Sequence, residues 1–390
     1  MFSSRLHWDL QTNPLARLLE AKRQEGAAIL DLTESNPTRA GLAYPEREII
    51  EALGQPESLA YEPAPAGLPS AREAVADYYC ARGLPMQPAR ILLTASSSEA
   101  YSYLFKLLAE PGDEILIPRP SYPLFEFLAA FESVRAVAYP LRYHGGWSID
   151  VEALASAITP KTRAIVLVNP NNPTGSFLKR DELDALATLC ETHNLAIISD
   201  EVFSDYAFAP DGSRVPSLAG EDRVLAFCLG GLSKAAGLPQ MKLGWIALAG
   251  PPGLREEARA RLELIADTYL SVGTPVQHAL PRLLSLGKQV RDQIHRRVQE
   301  NLDFLKTAIS PSSPCNLLDV EGGWYAILQV PRTRSEEQWC LDLLEKDAVL
   351  VQPGYFYDFE SEAYLVVSLL TPPHNFSAGI RRLLARAETH

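Results

Sequence analysis

Val224-Leu225-Ala226-Phe227-Cys228-Leu229-Gly230-Gly231-Leu232-Ser233-Lys234 runs from an apolar stretch through a Gly-Gly break to a lysine. An apolar run of that length ended by glycines reads as a buried strand, with Lys234 just past its carboxyl end. The amine then points at a crevice and not at bulk water. A desolvated amine gives up its proton more readily and can attack an aldehyde to form a Schiff base. A lone Ser-Lys also reads as a solvated surface charge, so the choice rests on what surrounds it.

The surrounding pattern repeats the same unit. Apolar runs predict further buried strands at 91–93, 115–117, 164–168, 195–198 and 243–248. Helical stretches at 98–109, 152–158 and 178–193 separate several of them. Alternation of this kind predicts an α/β fold with a mostly parallel central sheet flanked by helices. Ser70-Ala71-Arg72-Glu73 reads as a capping box opening a helix to about Ala81. After Gly250 the character changes: long amphipathic helices cover 253–269 and 276–309, and short strands at 324–329 and 364–369 mix with helices as in a smaller α+β domain. The expected division is an N-terminal arm over 1–45 that joins the small domain, a large domain over 46–275 and a C-terminal small domain over 276–390.

Length and charge agree with this frame. A chain of 390 residues exceeds what one core usually supports. A net charge of -12 gives a field that repels polyanions, so neither nucleic acid nor an anionic membrane is the expected partner. The five cysteines are scattered, with no C-x-x-C spacing, which fits small buried residues in a reducing compartment and no structural zinc. The stretch Met1-Phe2-Ser3-Ser4-Arg5 lacks the pattern of a leader and no run reaches spanning length, so a cytoplasmic protein is expected.

Several polar stretches follow predicted strands at their carboxyl ends, the edge where open α/β sheets bind ligands. Thr94-Ala95-Ser96-Ser97-Ser98 precedes a helix, where backbone N–H groups and hydroxyls suit a phosphate; the same serines also read as plain N-caps. Asp200 ends the strand Leu195-Ala196-Ile197-Ile198-Ser199. A carboxylate there requires a buried cation, such as a protonated pyridine nitrogen, or else caps the following turn. Asn172 sits in the proline-stiffened loop Asn169-Pro170-Asn171-Asn172-Pro173-Thr174-Gly175, either as a directed amide or as part of a rigid turn. Tyr122, in Pro118-Arg119-Pro120-Ser121-Tyr122-Pro123, is placed to stack on a flat ring or simply to pack.

Asn171-Asn172-Pro173-Thr174-Gly175, then Ser199-Asp200-Glu201-Val202-Phe203, then the stretch from Leu232 to Gly244 together resemble the ordered signatures of class I/II aminotransferases, fold type I enzymes that depend on pyridoxal 5'-phosphate. The likeness runs from about Asp31 to the C-terminus. It implies a seven-stranded large domain, a small domain built from both termini, and a homodimer with active sites at the interface. It also implies that Lys234 forms the Schiff base and carries protons, and that Asp200 pairs with the pyridine nitrogen. Asn172 would bond the phenolic oxygen, and Tyr122 would stack on the ring. Ser97, Ser98, Ser233 and Lys242 would bind the phosphate, with Tyr61 reaching it across the interface.

The sequence departs from the family pattern at four of these places. Phe203 stands where a tyrosine usually donates to the phenolic oxygen, Gly231 replaces a frequent serine, and Lys242 replaces an arginine, keeping charge but losing the fork. Val366 occupies the position of the arginine that holds the substrate carboxylate, leaving Arg39 in the arm as the candidate substitute; Arg39 also reads as a solvated charge. The resemblance implies an aminotransferase exchanging an amino group between an amino acid or amine and a 2-oxo acid. A β-lyase or cyclising enzyme is the alternative, and a non-catalytic cofactor-binding regulatory module is a third reading.

Overall fold

The computed structural model describes residues 2–6, 8 and 11–389. Met1 and His390, the ends of the expected arm and small domain, lie outside them.

The predicted apolar runs form one eight-stranded sheet. Its order is Ile91–Thr94, Gly244–Ala249, Ala226–Gly231, Ala196–Asp200, Thr162–Val168, Glu114–Arg119, Arg135–Tyr143 and Trp147–Ile149. Pairing is parallel from Ala226–Gly231 through Arg135–Tyr143. Gly244–Ala249 runs antiparallel to both its neighbours, and Trp147–Ile149 is antiparallel to Arg135–Tyr143. The seven strands implied by the resemblance thus gain a short edge strand, Trp147–Ile149. Every residue of Ala196–Asp200 and Ala226–Gly231 is buried, because helices cover both faces and leave no room for an alternating pattern.

The directions of pairing bring Thr94, Arg119, Val168, Asp200 and Gly231 to one edge of the sheet, the carboxyl ends of their strands. At that edge Gly231 pairs with Gly244. A Cβ on Gly231 would sit 3.1 Å from the Gly244 Cα and 3.2 Å from the Leu243 carbonyl oxygen. Tight cross-strand packing therefore suits glycine at this position, where the resemblance led to the expectation of a serine.

A second sheet of four antiparallel strands stacks its order as Asn316–Leu317, Tyr325–Gln329, Tyr364–Ser368 and Gln352–Pro353. Helices Glu336–Asp347 and Pro373–Glu388 pack with it, and the arm strand Leu30–Asp31 pairs parallel with Val349–Leu350. The helix Thr274–Ala308 is 35 residues long and runs from the large-sheet helices to the C-terminal helix. Asn301, buried on it, donates to the carbonyls of Leu369 and Thr371 at 2.7 and 2.8 Å.

Two local expectations are corrected. The helix expected to open on a Ser70 capping box begins at Pro69 instead, with Leu68 as N-cap and no side-chain cap. Proline at the first helical position presets φ, and the Leu68 N–H finds the Gln277 side chain at 2.7 Å. Of the five cysteines, Cys190, Cys228, Cys315 and Cys340 are buried, whereas Cys80 is exposed at the end of its helix. No helix among the described residues is long and apolar enough to cross a membrane.

Candidate active site

Between the carboxyl edge of the large sheet and the small sheet lies a cleft of about 330 Å³. Its walls include Ser97, Ser98, Tyr122, Asn172, Asp200, Ser233, Lys234 and Lys242, eight of the ten residues singled out from the sequence. The remaining two do not line it. Tyr61 is 75% exposed on the outer surface, and Arg39 is exposed in a turn of the arm.

Lys234 follows Gly231 by three residues in the short helix Leu232–Ala235. Its amine lies 4.9 Å from the centroid of the Trp324 ring and 5.4 Å from that of Phe203. Burial lowers the amine from 10.5 to about 8, and the Asp200 charge opposes that shift. The backbone around it is fixed from below. The Tyr206 hydroxyl donates to the Lys234 carbonyl at 2.7 Å, and Arg291 donates to the Ala235 carbonyl at 3.1 Å. Arg291 is itself held by Asp205, which also accepts from the Tyr78 hydroxyl at 2.7 Å and pairs with Arg82.

Asp200 is buried at the strand end and its carboxyl is raised from 3.8 to about 6 by desolvation. The Val202 N–H at 3.2 Å and the Tyr101 hydroxyl at 3.1 Å work against that rise. The neighbouring Glu201 has a structural occupation: it accepts from Ser217, the Leu218 N–H and Ser199.

The helix Ser97–Leu108 is capped by Ser96, whose oxygen accepts from the Glu99 N–H at 3.1 Å, while Glu99 accepts from the Ala95 N–H at 2.6 Å. Capping is therefore the work of Ser96. Ser97 and Ser98 fall in the first turn and line the cleft at the positive end of the helix dipole. Lys242 adds a positive charge beside them from a left-handed backbone position, φ 50°.

Asn172 is buried and its Oδ1 has no hydrogen-bond partner. The loop holding it is fixed by Asn169, which donates to the Val215 carbonyl, and by Asn171, which bonds Pro120, Ser121 and Thr174. The Asn171 contacts tie this loop to the turn bearing Tyr122. Tyr122 meets Phe125 edge-on, with ring centroids 5.9 Å apart.

The structure adds residues that the sequence reading passed over. Tyr101 lies one helical turn after Ser97, a spacing that puts both on one face and would have found it. Ser35 and Tyr325 line the cleft from the arm and the small sheet, contacts too distant along the chain to show in a local pattern.

The sequence profile of class I and II aminotransferases matches residues 27–375. The chain belongs to this aminotransferase family. It is 29% identical over 372 residues to an alanine aminotransferase of Mycobacterium tuberculosis, covering 92% of this chain and 85% of the relative. It is 28% identical over 353 residues to a glutamate-pyruvate aminotransferase of Escherichia coli, covering 88% and 86%. Among solved structures, an aminotransferase from Escherichia coli superimposes with a TM-score of 0.86 at 25% identity, covering 100% of this chain and 98% of that one. An alanine aminotransferase from Pyrococcus furiosus, with a TM-score of 0.89 at 23% identity and full coverage of both chains, shares the fold. The aminotransferase is thus a transferase enzyme of a family whose members generally use pyridoxal phosphate.

Proposed function

We propose that this aminotransferase binds pyridoxal 5'-phosphate in the cleft, joined to Lys234, and moves an amino group between an amino donor and a 2-oxo acid. Three features suit that cofactor. Asp200 is a buried carboxyl whose displaced ionisation is relieved by a cation such as a protonated ring nitrogen. Asn172 has an orphaned amide atom at the cleft wall, and a half-turn of the amide puts either a donor or an acceptor there. Ser97, Ser98, Ser233 and Lys242 gather hydroxyls and positive charge where a phosphate would sit. The observation that carries the reading is the lowered amine of Lys234 sharing this cleft with Asp200.

Bound there, the cofactor supplies an electron sink that makes a hydrogen on the donor's amino-bearing carbon removable. The protein's share follows from its own atoms. Lys234 Nζ, which burial makes easier to deprotonate, by about pH 8 rather than 10.5, accepts that proton and returns it. The ionised Asp200, fixed by Tyr101 and the Val202 N–H, would hold a pyridine nitrogen protonated, and Tyr122 would be the residue to stack on the ring. Tyr206 and Arg291 keep the backbone of Lys234 still while its side chain moves. Phe203 brings no hydroxyl, so a phenolic oxygen would be held by Asn172 alone of the two groups.

Further parts of this reading concern the whole protein. Residues 46–275 form the large domain, and 1–45 with 276–390 the small one, as the pairing of Leu30–Asp31 with Val349–Leu350 supports. The free thiols suit the cytoplasm. Two chains assemble so that the Tyr61 of each completes the other's site.

The test is direct. Protein incubated with pyridoxal phosphate should absorb in the visible, and borohydride followed by peptide mass analysis should place the adduct on Lys234. Lys234→Ala should lose both the adduct and at least ~10³-fold in turnover. Stoichiometric amine transfer to an added 2-oxo acid is expected. Acceptor-independent release of pyruvate and ammonia from amino acids would replace the transferase reading by a lyase.

A further inference from the structure

Lys234 Nζ rests against two aromatic rings that come from different parts of the chain. Phe203 follows the end of the strand Ala196–Asp200 by three residues, and Trp324 immediately precedes the small-sheet strand Tyr325–Gln329. The amine lies 5.4 Å from the centroid of the first ring and 4.9 Å from that of the second. Both distances fall within the roughly 6 Å over which the electron-rich face of an aromatic ring attracts a cation.

The rings are held in place. Trp324 meets Phe203 with centroids 5.3 Å apart and Tyr206 with centroids 5.2 Å apart, at interplanar angles of 75° and 72°. Its carbonyl accepts from the Leu369 N–H at 2.7 Å, and the Gly323 N–H donates to the Tyr206 carbonyl at 2.9 Å. Trp324 is fully buried, yet its indole N–H has no hydrogen-bond partner among the described residues. An unmet buried donor costs stability that phenylalanine or leucine at this position would avoid. Indole also presents the ring face that binds cations best, and here that face lies under the amine.

The other groups around the amine leave room for such a role. Asp200 faces it and favours its protonated form, against the burial that disfavours it. Lys242 shares the cleft and has the sign of an ammonium, while Tyr122 and Tyr325 are phenols that burial keeps neutral. Below the turn Arg291 pairs with Asp205, and the Tyr206 hydroxyl is engaged by the Lys234 carbonyl. If Asp200 is turned to a pyridine nitrogen, as in the cofactor reading above, the two ring faces are what remains beside Lys234 to support positive charge.

We infer that Phe203 and Trp324 form an aromatic cage for the positive charge of Lys234 when its amine is free of the cofactor. The cage stands on the geometry of the free amine, and its part in catalysis rests on the cofactor reading. In the proton transfer the donor's C–H bond breaks and an N–H bond forms at Nζ, while the electron pair of the broken bond stays with the cofactor's electron sink. The amine becomes an ammonium, and the cage favours that side of the transfer. Phe203, where the resemblance led to the expectation of a tyrosine, thereby has a use that needs no hydroxyl.

The experiment uses the full chain free of cofactor. Trace acetylation with acetic anhydride at a series of pH values, read by peptide mass analysis, gives the midpoint at which Lys234 becomes reactive. Phe203→Leu and Trp324→Leu each replace a ring by an apolar side chain without a π face. The midpoint should fall by ~0.5 pH unit in Phe203→Leu and by ~1 in Trp324→Leu, and Trp324→Phe should recover about half of the latter. A purely space-filling role predicts the opposite sign, since water entering beside a smaller side chain makes the ammonium easier to form. A midpoint unchanged or raised in folded Phe203→Leu overturns the cage. Near-ultraviolet circular dichroism reports folding, and if Trp324→Leu does not fold, the near-isosteric Phe203→Leu decides alone. Failure of borohydride to fix pyridoxal phosphate to Lys234 in the wild type overturns the cofactor reading and leaves these midpoints as they are, so the two failures are distinct.

Discussion

Lys234 and Asp200 are shifted toward each other's neutral forms, and in the protein free of cofactor this couples their ionisation to folding in opposite senses. Between about pH 8 and 10.5 an unfolded chain keeps a proton on Lys234 that the folded one has released, so raising pH across that window favours the folded state. Between pH 3.8 and about 6 the folded chain holds a proton on Asp200 that the unfolded one has lost, so raising pH there favours unfolding. Each effect is on the order of 2 kcal/mol once solvent in the cleft is allowed for. Urea unfolding of the apoprotein should therefore show Lys234→Met flattening the alkaline rise and Asp200→Asn flattening the acid-side fall. Unchanged pH profiles would mean that neither side chain is desolvated. These two residues were legible in the sequence because Asp200 ends a buried apolar strand and Lys234 follows one closely, where a charge needs a reason. Tyr206 and Trp324 were not, since their bearing on Lys234 comes from folding and not from spacing.

The loop between Val168 and Phe177 shows what an element contributes beyond its functional residue. Asn171 donates to the Pro120 carbonyl at 3.1 Å and to Thr174 at 2.9 Å, and accepts from Ser121 at 2.8 Å. One side chain thus fixes both Asn172 and the turn bearing Tyr122. Asn171→Ala should destabilise the protein by ~2–3 kcal/mol, because several buried polar partners are left unmet. It should also weaken cofactor binding more than it lowers turnover at saturating cofactor, as fluorescence titration would report. Gly175, at φ 70°, is fixed more tightly still: a Cβ would fall 2.5 Å from the Gly322 carbonyl oxygen. Gly175→Ala should therefore cost more than an ordinary surface substitution, ~2 kcal/mol or above. The strands flanking this loop were predicted to within about two residues, because burial on both faces makes them continuously apolar. Arg135–Tyr143 escaped prediction for the opposite reason. It is half-exposed near the sheet edge, and its Arg135, Pro140 and Arg142 break the apolar run.

At the scale of the whole molecule, the described surface keeps several large apolar side chains in water: Leu59 at 91% exposed, Tyr61 at 75%, Leu264 at 71% and Ile50 at 69%. Tyr61 and Leu270 share one shallow depression with Tyr103 and Ala266, so part of this surface is contiguous. Such a patch suits a second copy of the chain, and light scattering should give a mass of twice 42.9 kDa. The functional consequence can be separated from the structural one. In the isolated chain Tyr61 is too exposed for its loss to alter stability by more than ~0.5 kcal/mol. If it enters the neighbouring subunit's cleft, Tyr61→Ala should lower cofactor affinity with the melting temperature of the apoprotein unchanged. Mixing supplies the decisive form of the experiment. A dimer of one Tyr61→Ala chain and one Lys234→Ala chain contains one site with both an intact Lys234 and the partner's Tyr61. At cofactor levels where each parent is inactive, random re-pairing of equal amounts should restore about a quarter of the wild-type rate, since half the dimers are mixed and each has one sound site. Activity no greater than the sum of the parents would show that each chain works with its own residues alone.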